Sequence, residues 1–352
     1  MAYNPGMIQP TQVGIREELA DYIANVDAKS TPLTSMIPKG KDLGNQQFSW
    51  QVDDYTDPKP GGVADGADVT FAADATSNAS SNRTRLYNLA QVFRRVHRTG
   101  FIADTSNVAG LSDETAKGVA KRMVEMKRDI EHSIACTNQN YFAGNNAPLG
   151  TLTSSLGTWL TTNVSTGLGA PTSGFETPAA SRPATNTSNI TETVVQDILA
   201  SMYGETGVYR DYDAIVGTTL KRAFTQLCDA KSTTNGTANT FTQSSVRTFN
   251  KELSSSVYSS SIDVFEGDFG TIRLHPTTFI GNTNGSPLAT SFSPQAYKGY
   301  ILPMEMLELR YAKLPEVQEL PNAGGGPARL VQAICGLVVK NPAGMGMFNA
   351  VN

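Results

Sequence analysis

His97, His132 and His275 are the only histidines of the chain, and Cys136, Cys228 and Cys335 the only cysteines. Imidazole and thiolate are the groups most used for proton transfer, nucleophilic attack and transition-metal binding, so their spacing is the first test for an enzyme. No two histidines stand at the three- or four-residue spacing that sets paired ligands on one helical face, and none adjoins a cysteine. His132 falls on the polar face of a predicted helix. Asp53 with Asp54, and Glu266 with Asp268, are acidic pairs, but they sit at strand edges and turns, where aspartate is common for backbone reasons. The run Gly324, Gly325, Gly326 lacks the Gly-Lys-Ser/Thr of a phosphate-binding loop, and no Gly-x-Ser-x-Gly elbow occurs. Arg94, Arg95, His97 and Arg98 form a basic cluster that suits a phosphate, the acidic residues of another subunit, or simply a solvated strand end. These residues supply no catalytic, cofactor-binding or metal-binding constellation, and an enzyme is the least supported reading.

Charged residues make up 17% and hydrophobic ones 39% of the 352, both low for a globular chain. Ser, Thr, Asn and Gly fill the difference, which implies long loops beside a core. The length suits one large domain or two of ordinary size. A net charge of −4 argues against gripping nucleic acid through its phosphates, which takes clustered Lys and Arg. The cysteines are far apart and odd in number, which implies reduced, mostly buried thiols. The sequence opens without a charged-then-apolar leader, so secretion is not expected. Its longest apolar run, around 334–339, is too short to span a bilayer.

The elements that must carry these side chains follow from periodicity. Over 112–142, Ala116, Val119, Met123, Met126, Ile130 and Ile134 recur at three- and four-residue steps, which predicts an amphipathic helix of ~45 Å capped by Ser112. Ahead of it, residues 1–47 read as an arm punctuated by Pro and Gly, with one short helix near 15–26. Such an arm must lie on the body or on a neighbouring subunit. Residues 48–98 read as a two-armed excursion: Phe48, Trp50 and Val52 alternate as a strand, a small polar tract follows, and 84–98 returns as a second strand. An isolated two-stranded ribbon is marginal in water, so this excursion is either flexible or pinned by another chain. After the long helix come a short helix around Trp159 and a low-complexity connector over 165–189. A second lobe begins at Ile190: a helix capped by Thr191 and closed by Gly204, a strand at 212–217, a helix over 218–227, a hairpin at 262–276 turning on GDFG, a strand within 299–314 and a last strand at 328–340. Helices and strands do not alternate as a βαβ series, so the fold class is α+β.

Five segments in this order carry a resemblance: RLYNLAQVFRRVHRTG at 85–100, ETAKGVAKRMVEMKRDIEHSIACTNQ at 114–139, DVFEGDFGTIRLHP at 263–276, GYILPMEMLELRYAKLP at 299–315 and the closing LVVKNPAGMGMFN. Together they resemble the major capsid protein of tailed bacteriophages, with the Hong Kong 97-like fold, and more narrowly a podovirus-like major capsid family. The resemblance implies an N-terminal arm (1–47), an extended loop lying over a neighbour (48–98), and a peripheral domain (99–189) with the spine helix at 112–142. It further implies an axial domain (190–310) and returning strands (311–352). It implies pentamers and hexamers of an icosahedral shell around double-stranded DNA, located in the virion and assembled in the host cytoplasm. Its implied partners are copies of itself, a separate scaffolding protein, a portal at one vertex and a cement protein, with only weak contact to DNA, no membrane and no cofactor. Some relatives cross-link through a lysine on the extended loop, and Lys59 is the single candidate between Lys41 and Lys117. An encapsulin-like cellular compartment and a secreted carbohydrate-binding protein are the alternatives.

Overall fold

The computed structural model describes residues 30–53, 58, 61–68, 84–106, 113–139, 150–160, 176–183, 190–227, 231–232, 241–242, 263–283, 292–322 and 324–349. The expected helix near 15–26 and most of the tract between the two ribbon strands lie outside them. In chain order the elements are α1 (Pro32–Met36), β1 (Gln47–Val52), β2 (Thr84–Leu89), β3 (Gln91–Arg98), α2 (Phe101–Thr105), α3 (Glu114–Ala135), α4 (Leu156–Leu160), α5 (Glu192–Thr206), β4 (Arg210–Val216) and α6 (Thr218–Leu227). There follow β5 (Lys231–Ser232), β6 (Phe241–Thr242), β7 (Val264–Gly267), β8 (Gly270–Pro276), β9 (Gly281–Thr283), β10 (Phe292–Pro294), β11 (Lys298–Leu302), β12 (Leu307–Leu320), β13 (Ala328–Val339) and β14 (Gly346–Asn349).

The long helix α3 organises the first lobe. It has 22 residues, a rod of ~33 Å, and so is shorter than the expected 112–142. Asp113, not Ser112, is its N-cap, and accepts from the amide of Ala116 at 2.9 Å. At the other end the chain turns extended at Cys136, because tertiary partners claim the backbone there. Tyr300 Oη donates to the carbonyls of Ala135 and Cys136 at 3.0 and 3.2 Å, and Thr137 N donates to Gly281 O at 3.0 Å. These bonds satisfy groups that a helix end leaves open. Met126, Ile130 and Ile134 are buried against the three-stranded antiparallel sheet β12-β13-β3, where Phe93, Val331, Ala333, Cys335 and Leu337 meet them. Gly118 lets helix and sheet approach: a Cβ there would stand 2.0 Å from the His97 ring.

Two stretches expected as single strands are each two. Over 84–98 the chain breaks at Ala90, whose amide donates to Gln46 O at 2.8 Å. β2 pairs with β1 as the ribbon, whereas β3 joins β13. Val92 is then 55% exposed. Over 298–320 a 3-10 turn at Met304–Met306 divides β11 from β12, again placing them in different sheets.

The second lobe holds a five-stranded mixed sheet in the order β14-β11-β4-β8-β7. β4 and β8 run parallel, joined by a crossover containing α6, so one βαβ-like unit exists where none was expected. α5 starts at Thr191, whose side chain accepts from Val194 N, and ends at Gly207 with φ +63°, the left-handed conformation glycine adopts without strain. Gly204, the expected stop, lies inside the helix. Strand alternation makes this sheet a wall between two cores. Ala214, Val216, Ile301 and Phe348 face α5 and α6, while Ile215, Tyr300, Leu302 and Met347 face the first lobe.

Candidate functional site

The residues with chemical potential are brought into separate places. His97 lies on β3 facing α3, 3.2 Å from Thr99 Oγ1. His132 is half-buried, not on a solvated face, and its Nδ1 is 3.2 Å from the carbonyl of Phe279. Burial holds its pKa below the usual imidazole value. His275 pairs with Asp213 at 3.0 Å on the second-lobe sheet. His132 and Cys136 are four residues apart, a spacing not weighed in the sequence, but Cys136 stands past the helix end and its thiol donates to Asn138 Oδ1 at 3.4 Å. Cys335 is buried, and burial raises its thiol to about 12. Among the described residues no group of three or more His, Cys, Asp or Glu side chains is placed to hold a metal. Asp53 follows the end of β1, while Glu266 and Asp268 lie on the β7–β8 hairpin, where the amide of Asp268 donates to Gln196 Oε1 at 3.1 Å. Asp54, Lys59 and Cys228 lie outside the described residues. Gly324 to Gly326 form the β12–β13 turn, with φ positive at the first and third.

The basic cluster divides by strand alternation. Arg95 faces α3 and forms a two-pronged pair with Asp129, both contacts at 2.6 Å. Arg94 and Arg98 are exposed on the opposite face of the sheet. That face also carries Val92 and Val96, 55% and 50% exposed, with Ile334 and Leu330 beside them in register. Beyond the strand end, α2 exposes Phe101 and Ile102. This combination of apolar and basic side chains is suited to covering by another protein surface.

Among the described residues, the ribbon strands are packed on the first lobe, Leu86 being buried in its core. Phe48, Ala90 and Val338 form a small core, and Trp50 packs on Trp159 with ring centroids 5.5 Å apart. Asn88 is wholly buried: its amide donates to Leu337 O at 2.8 Å, and its Oδ1 accepts from Ser154 N at 2.9 Å. Farther out, the described residues 61–68 are all exposed, Val63 at 84%. The outer half of β12 shares this character, with Leu314 and Val317 exposed, and is linked to β13 by the Glu319–Arg329 pair.

Residues 32–37 are built into the first lobe. Leu33 and Ile37 are buried in its core, and Glu131 accepts from the amides of Leu33 and Thr34. Burial raises the Glu131 carboxyl above the ordinary range, against the opposing pull of those two bonds and of one from the Thr34 side chain. Sequence reasoning missed Glu131, since an acid inside an amphipathic helix reads as surface. The available signal was α1 itself, whose first turn has Pro32 but no acid of its own.

The model of the SU10 major capsid protein family matches residues 7–352. No curated protein matches the chain. Among solved structures, the capsid of cyanophage P-SCSP1u shares 10% identity over 100% of both chains, with a TM-score of 0.58. The capsid of a native GTA particle shares 11% over 99% of each, at 0.55. The cyanophage Pam1 capsid shares 11% over 99% of each, at 0.53. At such identities the likeness speaks to the fold alone, which is the Hong Kong 97-like capsid fold. Among the described residues no helix is long and apolar enough to cross a membrane. A sequence match running from residue 7 to residue 352, on a chain whose fold recurs in three capsids, makes this protein a member of the SU10 major capsid protein family.

Proposed function

We propose that the chain, a major capsid protein, forms pentamers and hexamers of an icosahedral shell that encloses double-stranded DNA. The whole-chain family match carries this reading. Residues 1–47 act as the arm and 48–98 as the extended loop over a neighbour. Residues 99–189 form the peripheral domain around the spine helix α3, 190–310 the axial domain, and 311–352 the strands that return to complete both. The ribbon supports this division, because a two-stranded element gains stability from a second surface. The acidic balance suits a wall along which packaged DNA moves without adhering, since tight phosphate contacts take a basic surface. A separate scaffolding protein, a portal and a cement protein are the partners of such a shell, and its role is structural, with no reaction of its own. The family match disfavours the cellular compartment and the secreted carbohydrate-binding protein.

Expression of the chain alone, and then with its neighbouring reading frames, followed by negative-stain microscopy, tests the reading. Closed shells, tubes or capsomer rings are the expected products, with DNA inside particles isolated from infected cells. A monodisperse monomer under both conditions overturns it.

A further inference from the structure

α1 is five residues long, its N-cap Thr31 makes no side-chain cap, and its first turn holds no acid. The amides at a helix start need acceptors, and here two are met from across the fold. Leu33 N donates to Glu131 Oε1 at 2.9 Å, and Thr34 N to Glu131 Oε2 at 2.7 Å. Glu131 is 0% exposed. Glutamate is seldom buried so fully without a partner, and α1 brings no ionisable side chain to it. Lys127, one turn earlier on α3, instead lines a small cleft with Thr31, Thr34, Ser35 and Tyr311. The carboxylate and the two amides are therefore mutual partners: removing either leaves buried polar groups unsatisfied. Immediately afterward the chain is tied a second time. Gly40 N donates to Leu309 O, Leu309 N to Pro38 O and Leu43 N to Tyr311 O, each at 3.0 Å, so residues 38–43 extend the edge of β12.

We propose that Glu131 is the anchor of the arm, a positioning residue that pins α1 to the spine helix in the unassembled subunit. Residues 32–36 are then held in place before any neighbour is met. Because it concerns the free subunit, this inference stands apart from the shell reading.

The test uses hydrogen exchange on the full-length free subunit, following the amides of residues 33 and 34. In Glu131→Ala both amides lose their acceptor, and their exchange is expected to accelerate at least ~10-fold, the equivalent of one lost charge-assisted bond. Glu131→Gln keeps one acceptor oxygen and falls between. Exchange over α6 stays at the wild-type rate in both, which separates release of α1 from general unfolding. Exchange of both amides at the wild-type rate in Glu131→Ala overturns the proposal. Should the variants fail to fold, the wild-type subunit decides: the amides of residues 33 and 34 are expected to exchange at least ~100-fold slower than in a free chain. Exchange at the free-chain rate means that α1 is not held without neighbours.

Discussion

Phe224 and Leu33 are both wholly buried, but the residues that enclose them come from different distances. Phe224 meets Phe348 edge-on at 5.4 Å and Phe265 at 6.4 Å, within a core made by α5, α6 and their own sheet. Leu33 shares a core with Leu86, Ile130, Trp159, Leu309 and Leu337, which come from β2, α3, α4, β12 and β13. The core around Phe224 is made by the second lobe alone, although the other face of its sheet joins the first-lobe core through Ile215, Tyr300, Leu302 and Met347. The first-lobe core is assembled from segments far apart in the chain. A lobe built from such distant segments couples its own packing to any surface that meets them.

The sharpest way to break this contrast is to empty the closed core. Phe224→Ala is expected to destabilise the second lobe by ~3–5 kcal/mol, the range for deleting a buried aromatic ring. Hydrogen exchange read separately over 192–227 and 114–135 checks it; equal loss in both lobes denies their independence. A smaller effect is expected from Gly118→Ala. The added methyl forces His97 from its place, at ~1–3 kcal/mol for overpacking, and thermal unfolding should report it from the first lobe. Smaller still is the Arg95–Asp129 pair. Its side chains are 41% and 36% exposed, so a double-mutant cycle should return a coupling of ~0.2–1 kcal/mol, shrinking with salt.

The finest probe is pH, because adjacent residues on α3 oppose each other. His132 has a folded pKa below 6.5, so between that value and 6.5 the unfolded state binds more protons, and acidification costs stability. Glu131 has a folded pKa above 4.5, so between 4.5 and that value the folded state binds more, and acidification adds stability. The two contributions have opposite signs. Glu131→Gln should therefore make the first lobe more sensitive to acid, and His132→Gln less, in melting temperatures measured from pH 7.5 down to 4.5. The opposite ranking contradicts these directions.

Local signals were legible where one segment determines its own structure. The apolar steps from Val119 to Ile134 gave the spine helix, Thr191 gave the start of α5, and GDFG gave the β7–β8 hairpin. The bounds of α6 agree with its sequence pattern throughout. Where the outcome depends on a distant partner, the pattern was silent. Nothing in the residues around Ala90 says that β2 and β3 enter different sheets, since both are equally strand-like and only their partners β1 and β13 differ. The helix end at Ala135 is set by Tyr300, 165 residues away. Glu131 belongs to the same class, as its partners lie 98 and 97 residues distant. For the same reason the assembly surfaces were read from order and resemblance, not from any single motif.

The account turns on the first lobe needing neighbours and the second not. Hydrogen exchange of one preparation, as free subunits and as assembled shells, tests that most directly. The account expects the ribbon strands β1 and β2 and the outer half of β12 to gain at least ~10-fold protection on assembly, while the second-lobe strands β4 and β8 change little. Equal protection of the ribbon in both states would contradict it, because the ribbon would then be stabilised by its own chain.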